Sequence, residues 1–263
     1  MLLAVDIGNT NIKMGLFKGK RLMRTWRLAT NKAANLKYYT KLLRKLLAKQ
    51  KADTIDEVII CSVVPKLTRI VKRALFLILK TKPLVLGEDI PAPIKNLYKK
   101  PKEVGQDRLA NAAAAFKRYA GPVIVVDFGT AVTFDVVTAR GGYLGGVIVP
   151  GMELSLRALT GKADLLPEVK LSRPKALLGR QTISSMRSGL VYGYSFMIEG
   201  ILKELKKGLK GRPYVVSTGG GASLMLPYCR SINKINENLT LEGLMEAALE
   251  GRKSEKIIKK ERK

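Results

Sequence analysis

The chain has 263 residues, 46% of them hydrophobic, with 24 glycines and 11 prolines. That composition is globular rather than disordered, and a length just past the ~250 residues where single cores stop growing predicts two domains. There is no histidine, which excludes a Ser-His-Asp triad, a histidine-ligated zinc site and imidazole acid/base chemistry, so carboxylates must do any proton transfer.

The two cysteines, Cys61 and Cys229, match no metal-ligand spacing and are too sparse for a disulfide framework, so both are expected to be buried thiols. Lys and Arg number 48 against 21 Asp and Glu, a net charge of +27 that attracts anions and invites a nucleic-acid reading. The basic residues are nevertheless spread along the chain. Only the last twelve, Arg252 to Lys263, concentrate charge, with seven basic and two acidic side chains, as a helix extension or frayed tail. The start of the chain lacks the long apolar stretch of a secretory signal, and no run approaches the ~18 apolar residues needed to span a bilayer. A soluble, cytoplasmic protein with no membrane partner is expected.

Residues 2–7 form an apolar run that ends in a turn at Gly8-Asn9-Thr10, and apolar residues resume from Ile12 to Phe17. This predicts strand, tight turn, strand. A third strand is expected from Lys20-Arg21 to Leu28, then an amphipathic helix near 33–50, with Leu36, Tyr39, Leu43, Leu46 and Leu47 on one face and lysines on the other. A strand at 57–62, a helix near 66–80 and a short strand at 83–86 follow. The Pro91, Pro93 and Pro101 segment then interrupts regular structure.

The second half opens with an alanine-rich helix from about Asp107 to Tyr119 and repeats the start of the chain. Val123-Ile-Val-Val-Asp127-Phe-Gly129-Thr130 parallels Leu2-Leu-Ala-Val-Asp6-Ile-Gly8-Asn9, with Asp127 standing 121 positions after Asp6. An offset near half the chain length predicts duplication of one β-β-β-α-β domain. A third strand at 142–149, a helix after Val149-Pro150-Gly151, a long helix from Thr182 to about Leu205 and a buried strand at Tyr214–Ser217 complete the reading. The last strand runs into Thr218-Gly219-Gly220-Gly221.

Asp6 and Asp127 each end a strand beside a glycine and small polar residues. Gly8 and Gly129 permit close backbone approach, and Asn9, Thr10 and Thr130 can donate to phosphate oxygens. A carboxylate next to phosphate needs a cation between them, so both aspartates are expected to face metal ions, directly or through water. Either motif alone reads more readily as an ordinary β-turn with Asx hydrogen bonding, a reading that weakens because both occur with the 121-residue repeat. The glycines at 219–221 match neither a Walker loop nor a dinucleotide fingerprint; they cap a strand or admit the adenosine side of a nucleotide. Asp107-Arg108 reads equally as an acidic residue at a helix N-terminus beside an exposed arginine.

Taken in order, Asp6-Ile-Gly-Asn-Thr-Asn11, Tyr98-Lys-Lys-Pro-Lys-Glu-Val-Gly105-Gln-Asp107-Arg108, Asp127-Phe-Gly-Thr130-Ala-Val-Thr133-Phe-Asp135, Gly145-Gly-Val-Ile-Val-Pro150-Gly151, Gly179-Arg-Gln-Thr182, Ser188-Gly189 and Thr218-Gly-Gly-Gly221 resemble the type III pantothenate kinases. The match extends to Asn238-Leu-Thr-Leu-Glu-Gly243. The resemblance implies an α/β fold of two duplicated ribonuclease-H-like domains with an interdomain nucleotide cleft, here 1–104 and 105–263, the second carrying dimerisation helices. It also implies a homodimer that phosphorylates pantothenate with ATP, using Mg²⁺ and a monovalent cation, K⁺ or NH₄⁺.

On this resemblance Asp107 is the general base. Asp6 organises magnesium and Asp127 the monovalent cation. Asp6, Gly8, Asn9, Thr10, Asn11, Lys13, Gly129, Thr130, Gly219 and Gly220 bind ATP. Tyr98, Gly105, Gln106, Asp107 and Arg108 bind pantothenate, with Thr182 reaching the substrate of the partner subunit. Two departures bear on substrate contacts: Gln181 stands where the family usually has Asn, and Lys162-Ala163 precedes Asp164-Leu-Leu-Pro167 where Thr-Ala is common. The competing reading is a degenerate relative acting as a regulator or nucleic-acid-binding protein, motivated by the charge. The kinase reading expects no specific nucleic-acid partner.

Overall fold

The computed structural model describes residues 1–48 and 54–261. They divide into two compact units, neither of them a contiguous half of the chain. The first unit comprises Met1–Ile94, Lys99–Ala114 and the residues from Leu239 onward; the second comprises Lys95–Tyr98 and Ala115–Asn238. Residues from Leu239 thus group with the first repeat, whereas a division into 1–104 and 105–263 assigns them to the second.

In the first unit, β1 (Leu2–Ile7), β2 (Asn11–Lys18), β3 (Arg21–Ala29), β4 (Glu57–Ser62) and β5 (Leu84–Val85) form a sheet in the order β3-β2-β1-β4-β5. The hairpin-linked strands are antiparallel, and β4 and β5 run parallel to β1. β1 is an almost unbroken apolar run because both faces of the sheet are covered. Alternation sends Leu3, Val5 and Ile7 to one side, against Tyr39, Leu43 and Leu47 of α1 (Leu36–Leu47) and Leu67, Val71 and Leu75 of α2 (Pro65–Leu79).

Leu2 and Ala4 face the other side. There they meet Ala110 of α3 (Gln106–Tyr119) and Leu241, Leu244 and Ala248 of the C-terminal helix α7 (Leu239–Glu261). The two helices touch through Gly243, where a Cβ would stand 2.1 Å from the Ala110 carbonyl oxygen. Local chemistry sets the helix ends. Asn35 Oδ1 accepts a hydrogen bond from the Tyr38 amide to start α1, and Pro65 occupies the first turn of α2, which closes at Lys80 in the left-handed region.

In the second unit, β6 (Lys95–Asn96), β7 (Val123–Phe128), β8 (Ala131–Val137), β9 (Gly142–Pro150), β10 (Tyr214–Thr218) and β11 (Lys234–Ile235) are ordered β11-β10-β7-β8-β9-β6. Without β6, this is the order and direction of the first sheet, as the 121-residue repeat predicts. Ile124, Val126 and Phe128 of β7 pack with Phe134 of β8 against Met152 of α4 (Met152–Thr160) and Val191, Ile198 and Leu202 of α5 (Thr182–Lys207). A single-turn helix, α6 (Ala222–Met225), follows the glycine run.

The proline segment departs from expectation. It contains β6, which adds to the sheet edge by pairing Lys95 with Gly142 and Asn96 with Tyr143. Prolines at 91, 93 and 101 bracket this short strand without entering it, so no ladder donor is lost. Positions 49 and 50 of the helix expected over 33–50 lie outside the described residues, as do Arg262 and Lys263 of the basic tail; α7 runs through Glu261. Both cysteines are buried and free. No helix among the described residues is long and apolar enough to cross a membrane.

Candidate active site

In the first unit, Asp6 sits at the end of β1, opposite Lys13 on β2 and Cys61 on β4. By strand alternation these three side chains share the sheet face of Leu2 and Ala4. The following turn is tight: the Gly8 amide donates to Asn11 O at 2.9 Å, and a Cβ on Gly8 would lie 3.1 Å from that oxygen. Thr30 braces the turn, its hydroxyl donating to Gly8 O at 2.7 Å and its amide to Thr10 O at 2.9 Å. Lys32 Nζ donates to Asn9 Oδ1 at 2.7 Å. Asn9 and Thr10 are exposed and Asp6, Asn11 and Lys13 partly so, leaving a polar rim suited to anionic oxygens.

Asp107 lies in the first turn of α3, and its Oδ1 accepts from the Arg108 amide at 2.9 Å. The carboxylate folds over Gly105, where a Cβ would stand 2.5 Å from Oδ1. Gly105 O in turn accepts from the amides of Arg108 and Leu109, at 3.1 and 3.3 Å. The Gln106 amide group lies over Gly87, whose φ is +85° and whose Cβ would meet Gln106 Cδ at 2.5 Å.

Burial pushes the Asp107 pKa above its ordinary value of 3.8, against the opposing pull of the Arg108 amide and guanidinium. Burial also raises the Cys61 thiol well above its usual range, and Asp6 and Asp107 both add to that shift. Two carboxylates a hundred positions apart in sequence therefore converge on one buried thiol. A shielded carboxyl with raised proton affinity is suited to take a proton from a weakly acidic hydroxyl.

In the second unit, Asp127 pairs with Thr133 on β8 and Thr218 on β10. Three loops stack at this end of the strands. The Gly129 amide donates to Ala131 O at 3.0 Å, closing the turn that exposes Gly129 and Thr130. The Gly151 amide donates to Thr130 O at 3.0 Å, and a Cβ there would lie 2.4 Å from the same oxygen. Gly219 has φ +85°, and the Gly221 amide donates to Phe128 O at 3.1 Å. Gly220, between them, is exposed.

Tyr98 follows β6. Its amide donates to Asn96 Oδ1 at 3.0 Å, and its ring rests on Gly145, where a Cβ would be 3.1 Å from two ring carbons. Thr182 is the exposed first residue of α5. Just before it, the Gln181 amide donates to Ser184 Oγ at 3.1 Å, and that hydroxyl donates to Gln181 O at 2.8 Å.

The structure thus gathers Asp6, Lys13 and Asp107 in the first unit, and Asp127, Gly129, Thr130 and Gly219 in the second. Sequence reasoning missed Cys61 as their neighbour, the bracing residues Thr30 and Lys32, and Gly151 as a wall of the Thr130 turn. Of these, Pro150-Gly151 alone carried a local signal. Among the described residues no group of three or more carboxylate or thiol side chains could hold a metal ion. A surface groove of about 850 Å³ along α1, lined by Leu36, Thr40, Arg44, Ala48 and Leu77 among others, contains none of the candidate residues.

A Campylobacter jejuni protein named for the Baf family of transcriptional activators superposes with a TM-score of 0.60 at 18% identity, over 95% of this chain and 99% of that one. The activator of 2-hydroxyisocaproyl-CoA dehydratase from Clostridium difficile, solved with bound ADPNP, gives 0.57 at 13% identity, over 99% and 97%. These likenesses establish the fold: α/β, with the ribonuclease-H-like strand order in each sheet. In sequence, the type III pantothenate kinase of Geobacter sulfurreducens is 44% identical over 246 residues, 93% of this chain and 96% of that protein. The profile of the same family matches residues 2–204. The chain belongs to the type III pantothenate kinase family.

Proposed function

We propose that this chain transfers the γ-phosphoryl group of ATP to the primary hydroxyl of pantothenate, forming 4′-phosphopantothenate in the first step of coenzyme A synthesis. The observation that carries the proposal is a shielded carboxyl, Asp107, held in the first turn of α3 in a chain of this family. Asp107 accepts the hydroxyl proton as the oxygen attacks phosphorus, and its raised pKa makes it a stronger base than an exposed aspartate. Gly105, Gln106, Arg108 and Tyr98 bind pantothenate, the Arg108 guanidinium being suited to its carboxylate.

In the first unit Gly8, Asn9, Thr10, Asn11 and Lys13 contact ATP, and Asp6 holds Mg²⁺. In the second, Gly129, Thr130, Gly219 and Gly220 contact ATP, and Asp127 holds K⁺ or NH₄⁺. The residues suit these ions. Each carboxylate is part-exposed at a strand end beside a glycine, and single carboxylates supplemented by phosphate and water are the usual Mg²⁺ environment. Bound cations there would offset the charge of the phosphates.

We further propose a cytoplasmic homodimer formed across α5, in which Thr182 serves the substrate of the partner subunit. Support comes from the outward face of that helix. Cβ atoms on Gly189, Gly193 and Gly200 would meet nothing within 4 Å, while Phe196 is 63% and Ile183 41% exposed. The dispersed basic surface binds nucleic acid through salt-sensitive, sequence-independent contacts only. Release of ADP that depends on added pantothenate, measured with purified protein, tests the activity; release indifferent to pantothenate rejects it.

A further inference from the structure

Strand β8 carries a carboxylate that no step above uses. Asp135 is fully buried, at 0% exposure. Its neighbours in the ladder are Val125 on β7 and Gly146 on β9. Val132 and Phe134 of the same strand point into the core shared with α4 and α5, so Thr133 and Asp135 lie on the opposite face. That face also carries Asp127, the register partner of Thr133.

Both carboxyl oxygens of Asp135 accept from hydroxyls. Thr133 Oγ1 donates to Oδ2 at 3.0 Å, and Tyr143 OH donates to Oδ1 at 2.8 Å. Tyr143 is itself fully buried, and its ring centroid is 6.5 Å from that of Tyr98, with the planes at 49°, within the range of favourable aromatic pairs. The Tyr143 carbonyl accepts from the Leu97 amide at 2.9 Å, so the segment leading to Tyr98 hangs on the same residue. A carboxylate this deep is costly, and valines fill the neighbouring positions 132, 136 and 137; the value of Asp135 therefore lies in its oxygens, which fix the Tyr143 phenol.

We propose that Asp135 is a positioning residue for the pantothenate site: it anchors Tyr143, and Tyr143 sets the ring of Tyr98. The inference rests on the reading above that Tyr98 contacts pantothenate. It places substrate affinity under the control of a residue that need not touch the substrate.

The test uses the full-length protein with Asp135→Asn and Tyr143→Phe, the second removing one oxygen and no packing volume. Both variants are expected to raise KM for pantothenate roughly ten- to hundredfold, the range for a lost hydrogen bond to a charged group. KM for ATP and kcat should change by less than about twofold, and the double variant should be no worse than the more impaired single one. In ¹³C-tyrosine spectra of the free protein, the Tyr98 resonance, assigned with Tyr98→Phe, should move in both variants.

A folded Tyr143→Phe protein with unchanged KM for pantothenate and an unmoved Tyr98 resonance overturns the proposal. So does a fall in melting temperature with no change in either readout, which marks a purely structural role. Wild-type protein that does not turn over pantothenate defeats the activity reading instead, and the tyrosine spectra then still decide whether Asp135 positions Tyr98.

Discussion

Gly219 lies so close to Asp127 that a Cβ on the glycine would stand 2.4 Å from the aspartate Oδ1 and 2.6 Å from the Phe128 carbonyl carbon. The glycine also holds φ at +85°, a conformation costly for residues with side chains. Gly219→Ala is therefore expected to destabilise the fold by about 1–3 kcal/mol and to weaken ATP binding. Gly129 is the control for stability: a Cβ there meets its nearest atoms at 3.4 Å, so Gly129→Ala should melt close to wild type. Equal melting temperatures for the two variants would contradict this account of the Gly219 loop.

Asp107→Asn keeps the size of the side chain but cannot accept a proton. Turnover of pantothenate should fall by roughly two to four orders of magnitude, the range for a positioned general base, while ATP binding, measured by calorimetry, changes little. Near-normal turnover would assign the base elsewhere.

The direction of the Asp107 shift also sets a pH dependence. Its folded pKa is raised above 3.8 by burial, so its ionisation opposes folding. Stability is fully retained below the unfolded value and is lost as pH rises through the folded one. Relative to wild type, Asp107→Asn should gain stability across that window, and the gain should be absent below the unfolded value. The wild-type rate should rise with pH through the same raised pKa, because only the ionised carboxyl accepts a proton. Denaturant titrations at several pH values, paired with rate profiles, check both signs.

The repeat was the most legible feature of the chain. Asp6 and Asp127, each ending an apolar strand beside a glycine, marked two hairpins that the sheets reproduce with matching strand order. These signals are local, carried by alternation and turn chemistry within ten residues. What stayed hidden depends on partners far along the chain. Lys95–Asn96 is a strand only because Gly142–Tyr143 lies beside it, and α7 belongs to the first unit because Gly243 lets it approach Ala110. The place of Cys61 beside Asp6 is likewise fixed by the β1–β4 register, which no local pattern encodes.

Asp127 leads to a prediction about salts. Replacing Na⁺ by K⁺ or NH₄⁺ should increase the rate of wild-type protein, and Asp127→Asn should remove the difference. Equal wild-type rates in all three salts would reject a monovalent-cation role for Asp127.

The dimer proposal places Thr182 of one chain with Asp107 of the other. Asp107→Asn and Thr182→Ala subunits, each impaired alone, should recover activity when mixed, because one site per mixed dimer is intact. Mixed dimers are first verified by native mass measurement; verified mixtures no more active than the parents would rule out a shared site.

The most direct test of the central claim follows the phosphoryl group itself. Purified protein is incubated with γ-³²P-labelled ATP, pantothenate, Mg²⁺ and K⁺, and the products are separated and weighed by mass spectrometry. Label transferred to pantothenate, in a product with the mass of 4′-phosphopantothenate, is the predicted result. Label that stays in ATP or appears only as free phosphate, from protein shown to be folded, would contradict the kinase reading and favour a catalytically silent member of the family.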